Sequence, residues 1–285
     1  MGMRQMKAQR TQVEQRMHEV WKCGAKTLEL AKPLVMGIVN VTPDSFSDGG
    51  RFLTPDAAAA HAKELVEQGA HIIDFGAEST RPGHLAVSPQ EEMARLLPAL
   101  EAFGKHDGVA VSVDTRNIET AREALRCGAD ILNCVTPLTR KGAEAFAELA
   151  AESGAGLVAM NWNEHENSSG IKHVMGNLAN QKAIAIQAGC APEQIVIDPG
   201  FGFGKTREED IAIFKEMDLL MQIAPVLAGI SRKRTLGFIT GEEDPGKRLG
   251  ASVAAAVCAV VRGAKVVRVH DVRETVQAIK TWEAL

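Results

Sequence analysis

Apolar runs alternate with helical stretches along most of the chain. In the clearest copies a helical stretch ends at a glycine followed by alanine, and a few aliphatic residues and then a polar residue come next. Such copies begin at Glu67, Arg126, Glu152 and Arg262. We interpret each as a helix closed by a left-handed glycine, followed by a short buried strand whose end carries a polar group. The pattern therefore predicts a repeated αβ unit.

Four more apolar runs lack the glycine signal and raise the number of predicted strands to eight. These runs cover 33–39, 109–113, 195–197 and 225–230. The predicted helices between the strands cover 55–67, 89–103, 118–126, 142–151, 178–188, 208–221, 249–262 and 273–282. Eight alternating pairs favour an α/β fold of the (β/α)8 TIM-barrel type, whereas a doubly wound sheet, the alternative, usually stops nearer six strands.

The beginning of the chain does not share this repeat. Residues 4–22 have a helical composition, and Thr27 to Leu30 could form a short strand. No linker rich in Pro, Gly or Ser divides the rest of the chain. We therefore predict a single-domain barrel at 33–285 with an N-terminal helical extension at 1–32. This extension would pack under the barrel as a solvated helix, or alternatively serve as a lid or dimer contact.

Composition narrows the function classes. The chain has 285 residues, of which 45% are apolar and 24% charged, as in an ordinary soluble protein. Its longest apolar run, 251–261, is far shorter than the roughly 20 residues of a membrane span. A net charge of −4 gives no reason to expect a nucleic-acid partner. Five cysteines without a C-x-x-C pair favour a cytoplasmic location, and the first 22 residues lack the apolar core of a secretory signal.

Every predicted strand is followed by polar side chains. In a (β/α)8 barrel these strand ends meet at one face, where the active sites of such enzymes lie. Any single one could be a helix cap or turn residue, but a rim of amides and carboxylates suits a flat heterocycle with alternating donors and acceptors. The set comprises Asn40, Asp74, Asp114, Asn133, Asn161, Asp198, Ser231 to Lys233, Arg268 and His270.

Two long motifs identify a family. The stretch 36–50 reads MGIVNVTPDSFSDGG, and 73–83 reads IDFGAESTRPG. Both resemble the signatures of the dihydropteroate synthase family. Shorter matches follow in family order at 112–115, 198–205, 229–234 and 267–271, so that the resemblance covers about residues 34–280. The loop after the first strand is also long enough to close over a substrate.

The resemblance implies a (β/α)8 barrel that joins 6-hydroxymethyl-7,8-dihydropterin pyrophosphate to 4-aminobenzoate, and releases pyrophosphate and 7,8-dihydropteroate. It implies Mg²⁺ as cofactor, a homodimer, and a role in folate biosynthesis. The pyrophosphate is a multiply charged leaving group, so cations are needed where its charge develops. We expect a dissociative displacement in which pyrophosphate leaves before the amine attacks, without a protein nucleophile.

The resemblance also implies roles for individual residues. The catalytic residues would be Asp114, Lys233 and Arg268. The pterin would contact Asp114, Asn133, Met160, Asp198 and Lys233. The pyrophosphate would be held by Asn40, Arg268 and His270, with Asn40 also a ligand of Mg²⁺. The 4-aminobenzoate pocket would comprise Ser79, Thr80, Arg81, Pro82, Phe203 and Arg234.

The chain departs from the family pattern on one side of the predicted barrel. Asn161 stands where His is common, Cys134 where Asp is common, and Glu209 with Asp210 where His-Asn is usual. The segment 163–180 also lacks the Pro-x-Thr-Met-Gln stretch that is often found in the family. These changes leave two alternatives: a pterin-binding homologue without synthase activity, and a folate-dependent methyltransferase. A methyltransferase would not need the Ser-Thr-Arg-Pro loop, Arg268 or His270.

Overall fold

The computed structural model describes residues 19–42, 54–78, 87–162 and 170–285. Its ten strands, in chain order, are β1 Val20–Cys23, β2 Lys26–Glu29, β3 Leu34–Asn40, β4 Ile72–Gly76, β5 Ala110–Thr115, β6 Ile131–Cys134, β7 Gly156–Met160, β8 Ile195–Asp198, β9 Leu227–Ala228 and β10 Val266–Val269. The last eight form one parallel sheet in the order β8-β7-β6-β5-β4-β3-β10-β9. Their near-continuous burial is expected of parallel strands covered on both faces.

The sheet closes on itself. A parallel bridge joins Ile197 in β8 to Val226 just before β9, and the Ile197 amide donates to the Pro225 carbonyl at 2.9 Å. On the other side of the junction, β9 pairs with β10. The strands therefore form a ring, which confirms the predicted (β/α)8 barrel.

The helices surround this ring. They are α1 Pro55–Glu67, α2 Pro89–Phe103, α3 Ile118–Arg126, α4 Glu144–Ser153, α5 Ile171–Gln187, α6 Arg207–Lys215, α7 Arg234–Thr240, α8 Leu249–Val261 and α9 Val272–Ala284. The first three have their predicted bounds. Helix α5 begins before the predicted residue 178, and α6 ends at Lys215 before a separate 3-10 turn at Met217–Gln222. Helix α7 was not predicted.

The N-terminal extension differs from its prediction where the structure describes it. Residues 20–22, included in the predicted helical stretch, belong to β1, which forms an antiparallel hairpin with β2. Trp21 and Cys23 are buried while Lys22 is exposed, a period of two that dictates a strand. The predicted strand at 27–30 is confirmed to within one residue. The remainder of the predicted helix, before residue 19, lies outside the described residues.

This hairpin closes the barrel at the N-terminal ends of its strands. Trp21 packs among the first residues of the barrel strands, and its indole N–H donates to the Gln194 carbonyl at 2.9 Å. Lys26 pairs with Asp130 at 2.8 Å. Among the described residues, packed side chains therefore fill this end of the barrel. Within the described ranges, no helix is long and apolar enough to cross a membrane.

Candidate functional site

The candidate site lies at the carboxyl ends of the barrel strands, in a cavity of about 1460 Å³. Of the predicted site residues, those lining it are Asn40, Asp114, Phe203, Lys233, Arg234, Arg268 and His270. Three others, Asn133, Met160 and Asp198, are buried at the ends of β6, β7 and β8. Neighbouring strands align Asp114 with Asn133 and Met160 with Asp198. The structure thus brings together all the predicted site residues that it describes.

The centre of the site is a partly buried ion cluster around Arg268. The Arg268 Nε donates to Asp74 Oδ2 at 2.6 Å, and its Nη2 donates to Asp114 Oδ2 at 2.5 Å. Asn133 also donates to Asp74 Oδ2, at 3.2 Å. Burial acts against the charged guanidinium, but the two carboxylates outweigh it and raise the pKa of Arg268. The two carboxylates therefore hold the Arg268 guanidinium in one orientation at the cavity.

Asp114 is the carboxylate of this cluster that faces the cavity. Burial raises its pKa to about 7, against the opposing effect of Arg268 and with a further rise from Asp74. A carboxyl group with such a pKa changes its charge near neutral pH. Asp74, by contrast, is fully buried and does not line the cavity. It acts on the site through Arg268, a role the sequence reasoning did not assign.

Lys233 approaches the site from the end of β9. It is the N-cap residue of α7, and its Nζ donates to the Phe201 carbonyl at 2.5 Å. Burial lowers the pKa of Lys233 to about 8, against the attraction of Asp198. Burial in turn raises the pKa of Asp198, which Lys233 opposes. The two side chains thus form a second pair of opposite charges beside the Arg268 cluster.

Phe203 forms one wall of the cavity. The Lys233 Nζ lies 4.7 Å from the centre of its ring, a cation–π contact. Trp162 packs edge-on against the same ring at 5.3 Å. Arg234, the first residue of α7, is exposed beside this wall. Ser79, Thr80, Arg81 and Pro82 lie outside the described residues, and their assignment stays a prediction.

His270 lies at the rim. Its Nδ1 is 3.1 Å from the Ser231 hydroxyl, which also accepts a hydrogen bond from the His270 amide at 3.3 Å. Next to them, Arg232 has a φ of 58°, uncommon for a residue with a side chain. This backbone is held because Arg232 pairs with Asp271 and its amide donates to Ser252 at 3.0 Å.

Cys134 is one of the departures from the family pattern, and it does not point into the cavity, because it alternates with the inward-facing Asn133. Its thiol packs with Ala121, Leu138 and Phe146 in the layer between the sheet and the helices. Burial raises the pKa of this thiol to about 12, so it stays protonated. Cys134 is thus a core residue.

Lys205 and Asp210 are among the charged residues lining the cavity to which sequence reasoning gave no role. Lys205 donates to the Gly200 carbonyl at 2.8 Å and the Phe203 carbonyl at 3.1 Å, and burial lowers its pKa to about 8. Asp210 is buried and accepts hydrogen bonds from Gly202 and Thr235. Asp210 was noticed only as a departure from the family pattern, because nothing in its helical sequence context signals a buried partner.

Comparisons with known proteins agree with this geometry. The family model described as pterin binding enzyme matches residues 36–270. A dihydropteroate synthase of Neisseria meningitidis serogroup C is 44% identical over 276 residues, which is 93% of this chain and 97% of that protein.

Two solved structures have the same fold over nearly their full length. The Xanthomonas albilineans dihydropteroate synthase with 4-aminobenzoic acid has a TM-score of 0.87 and 40% identity, covering 94% of this chain and 98% of that one. The Thermus thermophilus dihydropteroate synthase in complex with 6HMPPP has a TM-score of 0.81 and 41% identity, covering 93% and 99%. The chain therefore belongs to the pterin-binding enzyme family.

Proposed function

We propose that this protein is a dihydropteroate synthase, a transferase of folate biosynthesis. It joins 6-hydroxymethyl-7,8-dihydropterin pyrophosphate to 4-aminobenzoate and gives 7,8-dihydropteroate and pyrophosphate. The observation that carries the proposal is the Asp74–Arg268–Asp114 cluster facing Lys233 across one cavity. In this arrangement Asp114 can bind a heterocycle, while Arg268 and Lys233 can stabilise a negatively charged leaving group. The Neisseria relative and both solved structures bear the name of this enzyme.

The pterin ring binds at the buried end of the cavity. Asp114 uses only Oδ2 for Arg268 in the contacts described above, so its other oxygen can accept from the N–H groups of the ring. Asn133 on β6 and Asp198 on β8 supply a further amide and carboxylate, and Lys233 donates to the ring carbonyl. Met160 supplies an apolar surface beneath the ring. Donors and acceptors thus alternate as the heterocycle requires.

The pyrophosphate lies toward the rim. Two N–H groups of Arg268 bind the carboxylates, and its remaining N–H groups can reach an anion together with His270. Asn40 also lines the cavity, and its amide oxygen is a ligand of the kind that Mg²⁺ prefers. The described residues contain no cluster of three His, Cys, Asp or Glu side chains for a metal. This donor set fits a Mg²⁺ held by Asn40 and substrate phosphate oxygens, where it would neutralise phosphate charge.

The reaction proceeds by loss of pyrophosphate before the amine attacks. The bond between the pterin methylene and oxygen breaks, and the departing pyrophosphate keeps the electron pair. Arg268 and Lys233 stabilise the charge that develops on the leaving group. Asp114, held at the ring, stabilises the electron-poor pterin. The amine nitrogen of 4-aminobenzoate then forms the new bond and gives up a proton to solvent.

The second substrate binds against Phe203. Its flat ring can pack on the aromatic wall, and the exposed Arg234 offers positive charge to its carboxylate. Ser79, Thr80, Arg81 and Pro82, which lie outside the described residues, are predicted to contribute to the same pocket. The amine then points toward the pterin methylene between Lys233 and Arg268.

A coupled assay with the purified protein, both substrates and Mg²⁺ tests the proposal. We expect dihydropteroate, and we expect Asp114→Ala and Lys233→Ala each to lose at least about tenfold in kcat/KM, roughly 1.4 kcal/mol of transition-state stabilisation. The exposed Lys215→Ala should match the wild type. Pterin binding without product would instead support the homologue that lacks synthase activity, and full activity in both site variants would refute the site assignment.

The order of bond breaking makes a separate prediction. The enzyme mixed with the pterin pyrophosphate and Mg²⁺, without 4-aminobenzoate, should release pyrophosphate, because the leaving group departs before the amine attacks. A phosphate-coupled assay after pyrophosphatase treatment measures this, with Arg268→Ala as the control expected to release less. Release that strictly requires 4-aminobenzoate would rule out the stepwise mechanism.

The raised pKa of Asp114 predicts how pterin binding depends on pH. Near pH 6 most of the free enzyme carries a neutral Asp114, whereas the N–H groups of the pterin need the carboxylate. Affinity should therefore fall as the pH drops below about 7, by up to about tenfold per pH unit. Calorimetry with a non-reactive pterin at about pH 5.5 to 8.5 measures this. In the Asp114→Asn variant only the ligand itself still titrates, so most of the pH dependence of the affinity should disappear. An unchanged pH dependence in this variant would contradict the assignment.

We also propose a homodimer formed through α8. This surface helix contains no charged residue, and Ala254, Cys258 and Val261 are exposed on its outer face. Beside it, α7 exposes 50% of Phe238 and 59% of Ile239. Apolar surface of this kind is typical of an interface. Sedimentation velocity should show a dimer that Val261→Glu converts to monomer and Lys63→Glu on exposed α1 leaves intact. A monomeric wild type would refute this.

The cytoplasm is the compartment that suits the proposed enzyme. All five cysteines are free thiols, and Cys23, Cys134 and Cys190 are buried. A reducing compartment keeps such thiols unpaired.

A further inference from the structure

The loop between β8 and α6 carries part of the cavity wall. Gly200, Gly202 and Gly204 have φ values of 67°, 79° and 63°, in the left-handed region that favours glycine. A Cβ on Gly200 would lie 1.9 Å from the Asn161 carbonyl oxygen. The loop therefore needs glycine at these positions. Since glycine is also conformationally free, other groups must fix the position of the loop backbone.

Asp210 supplies one of these fixed points. Both of its carboxylate oxygens lie 3.0 Å from the amide nitrogen of Gly202, and Oδ2 also accepts from the Thr235 hydroxyl at 2.6 Å. Asp210 is 1% exposed. A single buried carboxylate thus ties the β8–α6 loop to the first turn of α7.

Two ammonium groups complete the arrangement. Lys205 donates to the carbonyls of Gly200 and Phe203, and Lys233 donates to the carbonyl of Phe201. Asp210 attracts both lysines. An unpaired charge is costly where little solvent reaches it. Asp210 therefore stabilises the two ammonium groups, which in turn bind the carbonyls of the loop.

We propose that Asp210 is a positioning residue for the 4-aminobenzoate subsite, a role that rests on the proposed function. Gly202 directly precedes Phe203, and Thr235 directly follows Arg234. Asp210 therefore sets the distance between the aromatic wall and the cations opposite it, while touching neither substrate. The pterin contacts the strand residues Asp114, Asn133 and Asp198, and Lys233 still faces Asp198 when Asp210 is removed, so the pterin end of the cavity depends far less on this link.

Steady-state kinetics with each substrate varied separately tests this role. Asp210→Ala should raise the KM for 4-aminobenzoate about tenfold or more, because it removes hydrogen bonds to a charged group. The KM for the pterin pyrophosphate should stay within about twofold. Asp210→Asn should restore the KM for 4-aminobenzoate to within about threefold of wild type, because its amide oxygen still accepts from Gly202. The exposed carboxylate variant Asp218→Ala is the matched control and should match wild type.

Tryptophan fluorescence gives a second readout that does not require turnover. Trp162 contacts the Phe203 ring, and subtracting the spectrum of a paired Trp162→Phe variant removes the signals of Trp21 and Trp282. In Asp210→Ala, the Trp162 emission should shift to longer wavelength and be quenched more strongly by acrylamide. Asp210→Asn and Asp218→Ala should leave it unchanged. If Asp210→Ala does not fold, Thr235→Val should show the same changes at smaller size, since it removes one hydrogen bond.

The outcomes separate the two proposals. Equal increases in both KM values, or unchanged Trp162 emission together with an unchanged KM for 4-aminobenzoate, would overturn the role of Asp210. A wild-type protein without synthase activity would refute the proposed function. In that case the Trp162 emission alone decides whether Asp210 holds the loop.

Discussion

Burial of charge inside the ring of strands is the constraint on which the rest of the site depends. Arg268 has little solvent to stabilise it, so it is retained only because Asp74 and Asp114 bind it at 2.6 and 2.5 Å. These three side chains come from β10, β4 and β5. In the sheet only β3 separates β4 from β10, and β5 lies next to β4, so the three side chains meet at the carboxyl ends of the strands, while the N-terminal hairpin covers the opposite ends.

The same constraint extends to the other wall of the cavity. Lys233 and Lys205 are balanced by Asp198 and Asp210, and each lysine also binds backbone carbonyls of the glycine-rich loop. The site is thus two charge clusters side by side, one built on strands and one on a loop. Such an arrangement suits a reaction with two substrates, because the fixed cluster can orient the pterin while the loop shapes the second pocket.

Local signals in the sequence predict much of the fold. Helices α1 and α2 have their predicted bounds because Thr54 and Ser88 cap them just before a proline. The prediction fails where local composition misleads. At 20–22 a helix was expected, but Trp21 and Cys23 alternate with exposed residues and pack under the barrel. Helix α7 was missed because Gly237 and the charged residues before it resemble a turn, while Thr235 and Leu236 are buried by tertiary contacts.

The sequence alone determined the alternation of strands and helices, the polar strand ends and the two long motifs, because these depend on neighbouring residues. The tertiary structure decided which polar groups meet. Arg268 and Asp74 are 194 positions apart in the chain, and they become partners because β10 and β4 both pair with β3. It also decided that Asn133 faces the cavity while Cys134 faces the helices, and that Asp210 binds the loop. Each outcome depends on packing against distant residues, which local sequence does not encode.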